Sequence, residues 1–221
     1  MKRTKIAISM ILACAMALSL TACFGGGKLS PSKLAKAAKA VGAEEMEADD
    51  LVDEVDDMDT EDLDDYTDGI YTTGKADDIK KALKSVDFYE KGLKEATIFF
   101  SGDYDKKSYS STRCLVLSFV FDDKEDSQDY YDDMADDLED RAEEYEDYYD
   151  KCEFESDEDG YEYAILTYGE KKAATNNMGI YHDGKTILIV YETGSGSKDL
   201  SGMADSICEE MGIKAPSEAE G

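Results

Sequence analysis

The chain has 221 residues, 53 of them acidic against 24 basic, and a formal net charge of −29. That length is ample for a hydrophobic core, and 42% hydrophobic with 10% aromatic residues rules out a wholly disordered chain. The acidity argues against a nucleic-acid partner, because gripping a phosphate backbone depends on Lys and Arg releasing counterions. Five Cys in no metal-like spacing argue against a zinc module.

The chain opens with the basic stretch Met1-Lys2-Arg3-Thr4-Lys5, and residues 6–20 then carry no charge. An apolar run of this length is too short for the roughly 20-residue helix that spans a bilayer. It fits the apolar region of a secretory signal peptide, and no second run of that length follows.

The run ends in Leu20-Thr21-Ala22-Cys23, which resembles the lipobox of bacterial lipoproteins. The resemblance covers residues 1–23 and implies nothing about the fold that follows. It implies a signal peptide over residues 1–22, cut just before Cys23. It also implies a diacylglycerol thioether on the Cys23 sulfur and palmitate-type acylation. The partner so implied is the lipid bilayer, at the extracytoplasmic face of the cell membrane. Each buried acyl CH₂ adds ~0.8 kcal/mol, and two chains hold far more durably than one. Residues 23–29 then read as a lipidated Cys and a Gly-rich tether. Cleavage removes three basic residues and no acid, leaving 21 basic against 53 acidic groups.

Ser30-Pro31-Ser32 opens a helix, with Ser as the cap and Pro in the first turn. Leu34, Ala37, Ala38 and Val41 form its apolar stripe, and Gly42 stops it. Residues 44–68 hold fifteen acids and no base; Leu51, Val55 and Met58 recur there at helical spacing, and an acidic loop is an equal reading. A strand over 69–73, a helix over 76–85 around Ile79 and Leu83, and a strand over 97–100 follow. Residues 102–111 read as polar turns. Residues 113–121 form the clearest strand, apolar on both faces and therefore central. Residues 123–150 form the longest helix, where Tyr131, Met134, Leu138, Ala142, Tyr145 and Tyr149 make one stripe and acids fill the rest.

From Cys152 the period turns to two, giving strands near 153–155, 161–168, 178–182 and 185–191. Asp183-Gly184 marks a type I′ hairpin. Ser197 or Asp199 caps a last helix that buries Met203, Ile207, Cys208 and Met211 and stops at Gly212. The order of elements indicates an α+β fold: a mainly antiparallel sheet, a long amphipathic helix and flanking shorter helices. One domain is expected over residues 30–215, with a disordered tail over 216–221.

Chemistry is sparse. Metallopeptidase, nucleophile-elbow, phosphate-loop and dinucleotide motifs are absent from the sequence. The sole histidine, His182, adjoins the Asp183-Gly184 turn and reads as a solvated turn neighbour. Ser30-Pro31-Ser32-Lys33 matches the Ser-x-x-Lys spacing of penicillin-recognising enzymes, but Lys185-Thr186 leads into Ile187 rather than Gly. Glu155 to Gly160 imitates half a calcium loop, yet its twelfth position is Leu166. No metal or cofactor is expected. With Cys23 lipidated, Cys114, Cys152 and Cys208 remain; Cys114 and Cys152 are the pair considered for a disulfide, and spacing alone does not fix the connectivity.

The sequence therefore reads as a membrane-anchored extracytoplasmic lipoprotein whose domain binds an unidentified ligand or protein without catalysis. Two alternatives stay open. One is an extracellular hydrolase working through carboxylates, and the other is capture of cations or cationic polymers by the acidic surface.

Overall fold

The computed structural model describes residues 27–56, 60–85, 88, 92–158, 160–170, 176–195 and 200–220. Residues 1–22, expected as a signal peptide, and Cys23 lie outside them, as does Met58. The fold is α+β. Five α-helices are described: α1 (Pro31–Ala40), α2 (Ala48–Asp56), α3 (Lys80–Ser85), α4 (Lys124–Tyr145) and α5 (Met203–Met211). The strands are β1 (Glu44–Glu45), β2 (Ile70–Lys75), β3 (Leu93–Asp105), β4 (Ser110–Phe121), β5 (Lys151–Glu158), β6 (Glu162–Gly169), β7 (Asn176–Asp183) and β8 (Thr186–Ser195). They form one eight-stranded sheet in the order β1-β2-β3-β4-β8-β7-β6-β5. Only the β1–β2 pairing is parallel. Among the described residues no helix is long and apolar enough to cross a membrane.

Strand β4 lies between β3 and β8, and its alternation feeds two cores, as its doubly apolar sequence requires. Cys114 and Val116 face a core covered by α1 and α5, together with Phe99, Tyr181, Leu188 and Val190. Leu117, Phe119 and Phe121 face the other core, under α2, α3 and α4. The α4 stripe lands where its spacing puts it: Tyr131, Leu138 and Ala142 are buried, and Met134 and Tyr145 are half-buried. Asp123 caps the helix by accepting from the Glu125 N–H at 2.9 Å.

Several boundaries depart from the sequence reading. Residues 102–105 extend β3 rather than forming turns, and Gly102 pairs with Arg113. Gly102 is needed there because a Cβ would stand 2.5 Å from a Leu63 methyl of the 3-10 turn Thr60–Tyr66. The β7–β8 turn is Gly184-Lys185, flanked by the pair Asp183↔Thr186. Among its residues only Gly184 has positive φ (+66°), which suits a type II′ hairpin with Gly first rather than type I′. Ser30 occupies the α1 cap position but makes no side-chain cap bond.

Both ends of the described chain dock onto the sheet. Leu29, assigned to the tether, is fully buried, and the Ser118 hydroxyl donates to its carbonyl. Residues 216–220, expected as a disordered tail, begin with the 3-10 turn Pro216–Glu218 and bury Pro216 and Ala219. Glu155 clasps this segment: it accepts from Lys214 Nζ at 2.5 Å, from the Tyr163 hydroxyl at 2.7 Å and from the Glu220 N–H at 2.9 Å. Burial disfavours its charge, but the Lys214 and Tyr163 bonds outweigh burial and hold its pKa at about 2.

Candidate functional site

His182 is the first place to look for chemistry, and it is not a solvated turn residue. It is 2% exposed because period two places it on the same face of β7 as Ile180, beneath α4. Its ring stacks on Tyr131 with centroids 5.6 Å apart. Nδ1 lies 2.6 Å from Glu162 Oε2, and Nε2 lies 3.1 Å from the Gly184 carbonyl and 3.3 Å from Ser127 Oγ. Burial, with Glu162 and Asp132 adding to it, pushes the Tyr131 hydroxyl up to about 12.

Serine, histidine and glutamate in that order have the outline of a nucleophilic triad. The geometry is that of a clasp instead. Ser127 is 0% exposed, so no substrate carbonyl can reach its oxygen. Its single hydroxyl proton has two carbonyl acceptors, Lys124 O at 2.9 Å and Gly184 O at 3.0 Å, whereas a nucleophile would donate to His. The three side chains instead tie the start of α4 to β6 and to the β7–β8 turn. Sequence reasoning missed the cluster because its members lie 20 to 55 positions apart.

Glu192 is a second buried polar group. Alternation along β8 places it on the face of Leu188 and Val190, fully buried. Its Oε1 accepts from Ser201 Oγ at 2.6 Å and from the Met203 N–H at 3.2 Å. This carboxylate therefore serves the start of α5, where Ser197 or Asp199 had been expected as the cap; both of those lie outside the described residues. Oε2 finds no partner, and burial drives the Glu192 pKa upward.

Two acid-lined clefts flank β1. One of about 490 Å³ is bordered by Glu44, Asp64, Asp65 and Asp68, and one of about 580 Å³ by Glu45, Glu47, Asp50 and Asp78. A carboxylate-dependent hydrolase would need an acid of raised pKa in such a cleft. Glu192, whose pKa burial raises, lines neither cleft. Among the described residues no three His, Cys, Asp or Glu converge as metal ligands.

The third cleft is apolar. It opens beside α4, about 370 Å³ in volume. Leu115 of β4, Met178 and Ile180 of β7, and Ile189 and Tyr191 of β8 form its floor. Met134, Leu138 and Arg141 of α4 make one wall, and Phe88 stands among the remaining lining. Arg141 Nε pairs with Asp137 Oδ2 at 2.8 Å.

The structure does not bring Cys114 and Cys152 together. Both are free thiols, as is Cys208. Cys114 belongs to the core under α1 and α5, and Cys152 packs on the opposite face. Three strands separate β4 from β5, roughly 19 Å at ~4.8 Å per strand, while a disulfide needs Cα atoms within about 7 Å. Cys208 shares the Cys114 core instead, and burial, with Glu192 adding to it, raises the Cys114 thiol well above its usual range.

Comparison of the chain with protein-family models, with curated proteins and with solved structures gives no match.

Proposed function

We propose that this protein is a bacterial lipoprotein, held at the extracytoplasmic face of the cell membrane by acyl chains on Cys23, whose α+β domain is a non-enzymatic binding module. The observation that carries the reading is Leu20-Thr21-Ala22-Cys23 at the end of an uncharged run behind a basic start. Two structural features support the binding half. Ser127 and His182 are buried away from any substrate, and an apolar cleft lies open beside α4. With Leu29 already packed in the core, residues 23–28 are the length of chain left between anchor and domain.

Growth with an alkyne fatty acid tests the anchor. Wild-type protein is expected to carry the label and to sediment with membranes. Cys23→Ala is expected to lose both properties. An unlabelled wild type, or a Cys23→Ala protein still held by the membrane, would remove the anchor from the proposal.

A further inference from the structure

We infer that the cleft between α4 and the sheet is a binding site for a small amphipathic molecule with an apolar body and a carboxylate head, the head received by Arg141. This deepens the binding-module reading and rests on it, but it does not depend on the lipid anchor.

The size and lining define the body of the ligand. About 370 Å³ falls within the roughly 300–1,000 Å³ of small-molecule sites. Leu115, Met134, Met178 and Tyr191 are only half-buried there, on a chain whose outer surface is otherwise dominated by acids. Their exposed parts converge on one concave space, which an apolar body of matching size would fill. Two of these side chains are Met, whose flexible thioethers fit varied apolar shapes.

The charge pattern defines the head. Helix α4 carries eleven acids and two bases, Lys124 in its first turn and Arg141. Arg141 is thus its one base beyond the first residue, and it lines the apolar cleft. Its ion pair with Asp137 engages Nε. A guanidinium carries five N–H donors in a planar fork, so that bond uses one of them, and a carboxylate is the partner that a fork of this shape takes two donors at a time. Leu138 and Met134 sit one and two turns before Arg141 on the same helix face, which gives the site an axis from apolar floor to charged rim. The outer acids of α4 repel anions at long range, so the contact gains strength once salt of ~0.15 M screens charges beyond ~8 Å.

Full-length protein in phosphatidylcholine nanodiscs, labelled with [13C-methyl]methionine, tests the assignment without relying on heats that partitioning into lipid would obscure. The probes are octanoate, 1-octanol and octylamine, which share one body and differ in the head. Octanoate is expected to shift the Met134 and Met178 methyl signals saturably, and to do so at lower concentration than either of the others. Arg141→Gln should weaken octanoate about tenfold and leave octanol unchanged. Met178→Trp fills the cleft and should abolish all three responses; if that variant loses its fold by circular dichroism, Arg141→Gln decides alone. Equal affinities for the three heads, or an Arg141→Gln protein with unchanged octanoate affinity, would overturn the carboxylate assignment while leaving a binding cleft. No saturable shift at Met134 or Met178 with any probe would overturn the site itself, whatever the fatty-acid labelling shows.

Discussion

The two faces of the sheet start from the same strands and end in different states. Under α1 and α5 the cover is drawn from both ends of the described chain, and small residues such as Ala37, Ala38 and Ala204 let the helices sit close. Tyr161, Tyr163 and Tyr181 pack within 6.4 Å of one another there. The cleft on that side, about 470 Å³, lies between α5 and the Pro216–Glu218 turn rather than between helix and sheet, and Glu192 is buried on that face. Under α4 the cover is a single long acidic helix, joined by the short α2 and α3 at the β2–β3 end. The described residues of α2 take no part in the apolar cleft, whose wall is α4 and whose remaining lining includes Phe88. The cleft stays open. The lesson is that hydrophobic patterning fixes which face of a strand is covered, while the placement and side-chain size of the covering helices decide how completely.

The largest effect that tests this contrast is a pair of truncations. Phe99→Ala in the core under α1 and α5 should cost about 3–5 kcal/mol of stability, whereas Leu115→Ala at the floor of the apolar cleft should cost less than about 2 kcal/mol, since it opens onto a space that already exists. Denaturant midpoints with unchanged m-values would measure both. Equal losses would mean that the faces do not differ in packing.

A smaller effect concerns Glu192. Burial raises its folded pKa above 4.5, so it contributes most below that value and its contribution is lost as pH rises through the raised value. Glu192→Gln keeps an acceptor for Ser201 and Met203 and removes the buried charge. Its melting temperature should exceed that of wild type at pH 7.5 by a few degrees, at roughly 2–4 °C per kcal/mol. The gap should close below pH 4.5. A variant less stable than wild type at pH 7.5 would show that the charged carboxylate serves the start of α5 better than it suffers from burial.

The smallest effect belongs to the exposed acids of α4. Raising salt from ~10 to ~150 mM shortens the screening length from ~30 to ~8 Å, so the melting temperature should rise. Asp133, Asp136 and Asp140 are exposed and spaced one turn apart. Changing them together to Asn should add a few tenths of a kcal/mol per pair and flatten the salt dependence. A melting temperature that is indifferent to salt in wild type would mean that these acids sit in specific pairs.

Much of the fold was legible because one-dimensional periods report local geometry. The two-sided apolar run of 113–121 announced a central strand, and the three-and-four spacing from Tyr131 to Tyr145 announced which side of α4 is buried. The α+β class followed from the order of those elements, and the proposed anchor rests on the run Leu20-Thr21-Ala22-Cys23, which resembles a lipobox and needs no fold to be read. What the sequence did not disclose depends on residues that meet across the sheet. Whether His182 is wet or dry turns on α4 lying over β7, and whether Cys114 can reach Cys152 turns on strand order, which no local period encodes. The start of α5 is served by a carboxylate eleven residues upstream on another element, and the last described residues are held because Glu155 and the Tyr161–Tyr181 cluster receive them. The cleft is the extreme case: it is a space between elements, defined by side chains from α4, from β4 and from the β7–β8 hairpin, three separate stretches of the sequence. Periodicity is a property of a segment, and a cavity is a property of packing, so only the tertiary structure could decide it.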